Sequence, residues 1–272
     1  DALKKLCRQR DFTITELSNA KRRLTALLDQ SFPELAAFFS DPHGKAPVQL
    51  LRHAPSADTI ASLSTRKIAA ILREASRKRH GIDKARKLHQ AAINSVARGY
   101  RCHALETSIT LMLDQIEFLQ KQTQTLDTAI ARTYTQLTQE HPLQKLPGIG
   151  KVTAPTIIAE YGDLQRFHGG YKTLQAYAGL DPRIRESGQW KGTVRMSKRG
   201  SQALRTALYK AASMGRLHCP QLQEIYEKHR HQKGKNHHVA ISHVARKLIQ
   251  LIWAVWRNNA PYDPQKINPK PA

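Results

Sequence analysis

The chain has little cysteine, and its cysteines are widely spaced. Cys7, Cys102 and Cys219 are the only three among 272 residues, and they form no CxxC pair. The sequence therefore predicts neither a disulfide framework nor a cysteine zinc site, and it fits a reducing cytosol. The histidines from His229 to His243 lack a zinc-ligand spacing, so we predict no metal site in this chain. Their expected role is pH-dependent positive charge near phosphate.

Long apolar runs are missing as well. No stretch of about 18 apolar residues occurs, and no signal-peptide pattern opens the chain. Residues 249–256 are apolar, but they are too few to span a membrane and predict a core helix instead. We therefore expect no membrane partner.

Negative charge is scarce. Asp and Glu number 21 against 44 Lys and Arg, which gives a formal net charge of +23. From Ser187 onward there are 16 basic residues and only three acids. This excess is typical of a protein that binds a polyanion, and it predicts salt-dependent binding to the phosphates of nucleic acid.

Alternating β-strand patterns are also absent, and apolar residues recur at helical spacing instead, so we predict a mainly α fold. Residues 1–140 are expected to form a helical, coiled-coil-like region. It consists of a helix within 1–40 that ends before Pro33, short helices over 41–100, and a heptad helix over 102–139. Ser64 is the expected N-cap of one short helix.

The heptad helix carries apolar or small residues at alternating steps of four and three. They are Leu105, Ile109, Met112, Ile116, Leu119, Thr123, Leu126, Ile130, Thr133 and Leu137. Such a seam needs a partner helix. That partner is either the N-terminal helix of the same chain or a second protomer, and the second case predicts a homo-oligomer, dimer or tetramer.

Residues 141–260 are predicted to form a second, helical domain, followed by an extended, proline-rich tail over 261–272. The domain opens with a pattern typical of a helix-hairpin-helix. Gly148 and Gly150 allow a tight hairpin, and Lys151 adds charge where the backbone N–H groups of the next helix can bind a phosphate. An ordinary helical turn capped by glycine is the alternative.

One loop combines a small hydroxyl with many cations. Ser187 stands beside Gly188 in a segment rich in glycine. The predicted nucleic-acid-binding residues of this region are Arg183, Arg185, Gly188, Lys191, Arg195, Lys198, Arg199 and Arg205. Cations that hold a phosphate can make a serine a phosphoryl-transfer nucleophile. By themselves, the residues favour a basic nucleic-acid-binding loop with an incidental serine.

The order of motifs resembles the IS110 family of bacterial insertion-sequence transposases, the DEDD-plus-serine recombinases guided by a bridge RNA. The resemblance covers nearly the whole chain but only the later part of the family pattern. Its specific pieces are LPGIG at 146–150, AYAGLDP at 176–182, ESG at 186–188, MSKRG at 196–200, LRTALY at 204–209, ARKL at 245–248 and PYDP at 261–264.

The resemblance implies a function that composition does not. It implies that Ser187 attacks a DNA phosphodiester and forms a covalent phosphoserine link, with Ser197 and Ser201 as secondary possibilities. It also implies DNA and a guide RNA as partners, a nucleoid-associated location in the cytoplasm, and Mg²⁺ held by four acids of an N-terminal RuvC-like domain.

The sequence departs from the family pattern at its start. Residues 1–10 match the helix that follows the last of those acids, and no acid of this chain maps onto the four. We therefore expect a chain that lacks most or all of the metal domain and cannot recombine DNA unaided, although it still binds DNA and RNA. The alternative is a non-catalytic helix-hairpin-helix binding module or an accessory fragment.

Overall fold

A computed structural model describes residues 1–77, 79–99, 102–138, 141–183, 186–187, 190–191 and 195–263. The chain divides into two compact units. The first unit comprises Asp1–Asp11 and Thr125–Ala272, and the second comprises Phe12–Gln124.

The described residues are mainly helical, as predicted. The α-helices are α1 Ala2–Ser31, α2 Lys45–His53, α3 Ala57–Ala61, α4 Thr65–Ala75, α5 Ile82–Ile93, α6 His103–Leu137, α7 Thr153–Tyr161, α8 Tyr171–Tyr177, α9 Gln202–His218, α10 Pro220–Glu227 and α11 His237–Arg257. Short 3₁₀ helices cover Pro33–Phe38, Pro142–Lys145 and Leu164–Arg166, and a π-helical turn covers Lys228–Gln232.

Local sequence signals explain several helix boundaries. The Oγ atom of Ser64 accepts a hydrogen bond from the Lys67 N–H at 3.3 Å, which confirms the predicted N-cap of α4. Ser56 and Thr59 form a capping box at α3, which satisfies two backbone donors. α1 ends at Ser31, two residues before Pro33, as predicted.

The seam of α6 packs against α1 of the same chain. In the second unit, Ile109 and Ile116 are buried in one core with Leu24 and Leu28 of α1. In the first unit, Ile130 shares a smaller core with Leu3 and Cys7 of α1 and with Tyr134. The heptad pattern left two possible partners for α6, the N-terminal helix or a second protomer. In the structure, the N-terminal helix packs against the seam.

The predicted domain boundary at residue 140 differs from the division of the chain. The last third of α6 and the first turns of α1 belong to the same unit as the C-terminal helices. The physical reason is the small core of Leu3, Cys7, Ile130 and Tyr134, which Ile158 and Ala159 of α7 also contact.

The main core of the first unit lies among α7, α9, α10 and α11. The apolar run of α11 is buried there, including Leu248, Ile249 and Ile252, so the predicted core helix is confirmed. Within the described ranges, no helix is both long enough and apolar enough to cross a membrane.

Among the residues that the structure describes, four strands of two residues each are the exception to the helical fold. β1 Pro182–Arg183 pairs antiparallel with β4 Arg195–Met196, and β2 Glu186–Ser187 pairs antiparallel with β3 Trp190–Lys191. We call these two strand pairs together the ribbon.

Candidate nucleic-acid interface and its serine

Ser187 lies on the inner strand pair of the ribbon. Its register partner is Trp190, so only Gly188 and Gln189 separate the two paired residues along the chain. Lys191 is the register partner of Glu186. The predicted binding residues Arg185 and Gly188 lie outside the described residues.

The base of the ribbon is bound to the end of α8 through the backbone. The hydrogen bonds run from Ser197 N–H to the Asp181 carbonyl (2.9 Å), from Lys198 N–H to the Gly179 carbonyl (3.1 Å) and from Ser201 N–H to the Tyr177 carbonyl (3.0 Å). The segments that enter and leave the ribbon are therefore held side by side.

Gly200 is required where these segments meet. A Cβ atom at this position would lie 2.0 Å from the Tyr177 carbonyl oxygen and 2.5 Å from the Gly179 nitrogen. Both are backbone atoms and cannot turn away. The glycine of the MSKRG motif thus permits close backbone approach beneath the ribbon.

The two secondary serines already have structural partners. The Ser197 hydroxyl donates to the Asp181 carboxylate. The Ser201 hydroxyl accepts from the Leu204 N–H at 3.2 Å as the N-cap of α9, and it donates to Glu160 at 2.9 Å.

Several predicted cations are exposed around the ribbon base. Arg183 and Arg195 are direct cross-strand partners, and both are exposed. Like charges directly opposite in an antiparallel pair repel each other. Lys198 and Arg199 follow on the same segment and are also exposed. This arrangement favours a bound anion, which would remove the repulsion.

Arg205 has a different environment from the other predicted cations. Its side chain is partly buried, and its Nη1 atom donates to the Ala178 carbonyl at 3.2 Å and to the Gly200 carbonyl at 3.5 Å. The guanidinium therefore holds the end of α8 against the start of α9.

The two glycines of the hairpin at residues 146–153 have different surroundings. Gly148 has φ +84°, and a Cβ there would lie 2.1 Å from the Ala211 carbonyl oxygen of α9. Gly150 is exposed, has open space around it, and donates its N–H to the Thr153 hydroxyl at 2.9 Å. Gly148 thus serves helix packing, whereas Gly150 and the exposed Lys151 face solvent.

The segment expected to form the first helix of a helix-hairpin-helix is the 3₁₀ helix Pro142–Lys145. The apolar residues of the hairpin pack into the main core of the unit instead of forming a separate two-helix core. They are Leu143, Leu146, Ile149, Ala154 and Ile157.

Sequence reasoning did not find Glu160, whose side chain is fully buried. It accepts hydrogen bonds from Arg8 Nε at 2.6 Å and from Ser201, and Lys4 Nζ lies 3.7 Å away. Burial would raise the pKa of this carboxyl, but the hydrogen bonds from Arg8 and Ser201 and the nearby positive charges together lower the pKa. Arg8 and Glu160 are 152 positions apart, so no local pattern could have connected them.

No group of three or more His, Cys, Asp or Glu side chains that could hold a metal ion occurs among the described residues. The residues present there do not fit a Mg²⁺ site.

Residues 140–227 match the family model described as "Transposase IS116/IS110/IS902 family". The matched range includes Gly148, Ser187 and Arg205.

Individual relatives extend the similarity. An uncharacterized 42 kDa protein of insertion element IS900 from Mycobacterium paratuberculosis is 25% identical over 227 residues, which cover 81% of this chain and 55% of that protein. The pilin gene-inverting protein of Moraxella bovis is 38% identical over 127 residues, covering 44% of this chain and 38% of its own length. The transposase of insertion sequence IS1111A from Coxiella burnetii is 31% identical over 128 residues, covering 44% of this chain and 33% of its own length. The chain thus spans from one third to just over half of these relatives.

Proposed function

We propose that this chain is the DNA-binding and strand-transferring part of a transposase or recombinase, with Ser187 as its nucleophile. The observation that carries the proposal is the position of Ser187, three residues before its pairing partner Trp190, on a ribbon whose base bears the exposed pair Arg183 and Arg195. The family match over this region and the relatives named for transposition and gene inversion support it.

The proposed reaction is a phosphoryl transfer. The Ser187 Oγ attacks a backbone phosphorus and loses its proton, an O–P bond forms, and the P–O bond to one sugar oxygen breaks. The leaving oxygen takes up a proton. Because a phosphodiester replaces a phosphodiester, the strand can be rejoined by the reverse reaction without an external energy source. The cations at the ribbon base would stabilise charge on the transferred group.

The proposal includes a guide RNA as second partner and an oligomer as the active form. The net positive charge of +23 suits binding to nucleic-acid phosphates. In this scheme base pairing selects the target, and the protein contacts the backbones. Because the seam of α6 packs against α1, contacts between protomers would use other faces of these helices.

The experiment that tests the nucleophile is covalent trapping. Purified protein is combined with a separately supplied RuvC-like metal domain and incubated with supercoiled plasmid and Mg²⁺. The mixture is denatured with detergent, digested with protease and nuclease, and analysed by mass spectrometry. We expect a nucleotide adduct on the peptide that contains Ser187, and we expect Ser187→Ala to abolish it.

Ser197→Ala is the matched control, because it removes a neighbouring serine at the ribbon base and should leave the adduct in place. An unchanged adduct in Ser187→Ala would reject the nucleophile assignment. Tight DNA binding with no adduct in the unsubstituted protein would favour the non-catalytic binding module.

A further inference from the structure

A second basic site lies beside the ribbon base and is separate from the predicted residues of the hairpin. It is a cleft of about 480 Å³ between α8, the π-helical turn and α11. The charged or imidazole side chains that line it are Lys172, Asp181, His229, His243, Arg246 and Lys247. We call it the histidine cleft.

The charges that line the cleft favour a bound anion. Its only described carboxylate, Asp181, already accepts a hydrogen bond from Ser197. Lys172, Arg246 and Lys247 form no ion pair with any carboxylate in the described part of the chain. Three cations with uncompensated charge therefore line one concave surface.

Two imidazoles within the cleft form an unusual pair. The rings of His229 and His243 are stacked, with centroids 3.6 Å apart and an angle of 7° between their planes. The Nδ1 atom of His229 is buried and has no hydrogen-bond partner among the described groups. A buried nitrogen without a partner costs free energy, and a ligand that supplies a partner would recover it.

Most of the charged groups around the pair are positive; α10, which lines the cleft through Ile225, contributes no cation, and its Glu227 pairs with His231. The charged and titratable groups are Tyr171 and Lys172 on α8, Asp181, Arg195 and Lys198 at the ribbon base, Lys228, Lys233 and Lys235 on and after the π-helical turn, and Arg246 and Lys247 on α11. Burial, the neighbouring His229 and the cations lower the pKa of His243 to about 4. Burial and the same cations also lower the pKa of His229.

We propose that the histidine cleft binds a phosphodiester group of a nucleic-acid backbone, and that protonation of the His229–His243 pair accompanies binding. The proposal rests on the proposed nucleic-acid function of this unit. A phosphate anion offsets the surrounding positive charge and can accept an N–H bond from each imidazolium. Binding therefore raises both pKa values, and by linkage affinity must rise as pH falls.

A neighbouring cleft of about 640 Å³ shares Asp181, His243 and Arg246 with the first and adds Arg195 and Lys198 of the ribbon base. The histidine cleft is thus continuous with the surface that flanks the ribbon. One nucleic-acid strand could occupy both, so the cleft would fix a phosphate next to the segment that carries Ser187.

The binding test uses a fluorescein-labelled 20-base-pair DNA duplex and a single-stranded RNA of the same length, at constant ionic strength between pH 5.5 and 7.5. Fluorescence anisotropy measures affinity. Lowering the pH should increase the affinity for at least one of the two probes. We expect this increase to be about tenfold larger in the unsubstituted protein than in His243→Gln or His229→Gln. The reason is that one linked proton contributes up to about tenfold in affinity per pH unit. Preference for one probe identifies the nucleic acid that occupies the cleft.

Two matched variants control for general effects. His231→Gln removes an exposed histidine of the same π-helical turn, which pairs with Glu227 at 3.2 Å, and should keep the pH dependence. Arg246→Gln should weaken binding at every pH, whereas Arg257→Gln, on the exposed end of the same helix, should not.

A second readout does not depend on affinity. Imidazole NMR signals of ¹³C-histidine protein should show the pKa values of His229 and His243 rising when dimethyl phosphate, a monoanionic diester, is added. If the protein binds nucleic acid but both histidine variants keep the full pH dependence, the cleft proposal is wrong and the proposed function stands. Absence of binding to both probes throughout the pH range would overturn both.

Discussion

Gly148 and Gly150 lie two residues apart in one motif, yet their surroundings differ. Gly148 has a left-handed backbone and contacts the backbone of α9, while Gly150 is surrounded by open space. At Gly148 any side chain both strains the backbone and collides with atoms that cannot rotate away.

We therefore expect Gly148→Ala to lower the free energy of unfolding by about 2–4 kcal/mol. Gly150→Ala, the matched control, should change it by less than about 0.5 kcal/mol. Urea denaturation followed by tryptophan fluorescence measures both, because Trp190, Trp253 and Trp256 all belong to the first unit. Equal stability of the two variants would contradict the packing role of Gly148.

At the scale of elements, the ribbon combines a well-held base with repelling charges. Backbone hydrogen bonds and Arg205 fix the base to α8 and α9, while Arg183 and Arg195 stand opposite each other on β1 and β4. The two arginines of this strand pair repel each other in the free protein. A bound phosphate backbone would attract both of them and offset that repulsion.

Arg183→Gln or Arg195→Gln should therefore weaken DNA binding and slightly stabilise the free protein, by up to about 0.5 kcal/mol. Each should also reduce the slope of log affinity against log salt concentration by about 1, as expected for one lost phosphate contact. Arg86→Gln, which removes an exposed arginine of α5, is the control for net charge. An unchanged slope in both ribbon variants would argue against phosphate contact at this strand pair.

At the scale of the whole molecule, the first unit joins the start of the chain to its C-terminal half. Glu160 of α7 accepts from Arg8 of α1 and from Ser201 at the start of α9. One buried carboxylate therefore connects three segments that are far apart in sequence, and it lies directly beneath the ribbon base.

We expect Glu160→Gln to lower the free energy of unfolding at pH 7 by about 2 kcal/mol, because it leaves Arg8 and Lys4 without their anionic partner. The pKa of Glu160 is lowered in the folded state, so the ionised carboxylate stabilises the fold above its unfolded pKa of about 4.3. This stabilisation should be lost as the pH falls through the folded pKa.

The difference between the unsubstituted protein and the variant should accordingly be constant from pH 5 to 7 and shrink below about pH 4. Urea denaturation across this pH range measures it. Glu227→Gln, at an exposed pair with His231, serves as the control and should cost less than about 0.5 kcal/mol. A difference that grows on acidification would refute the ionised role of Glu160.

Helical periodicity, capping residues and proline determined most of the secondary structure. Ser64 capped α4 as predicted, Pro33 followed the end of α1, and the apolar run of α11 was a core helix. These are local effects, since they depend on residues within one or two turns of each other. The ordered motifs likewise indicated the similarity to insertion-sequence transposases that the family match over residues 140–227 shows, because motif order is a property of the sequence.

Long-range contacts decided what remained. The heptad pattern left two partners for α6 open, and burial of Ile109 and Ile130 against α1 selected the same chain. The roles of Gly148, Arg205 and Glu160, and the stacking of His229 on His243, depend on atoms from segments distant in sequence. The sequence by itself therefore determined the elements, the positive charge and the serine motif. Tertiary packing alone determined which glycine is structural, which cations face solvent and where the histidine cleft forms.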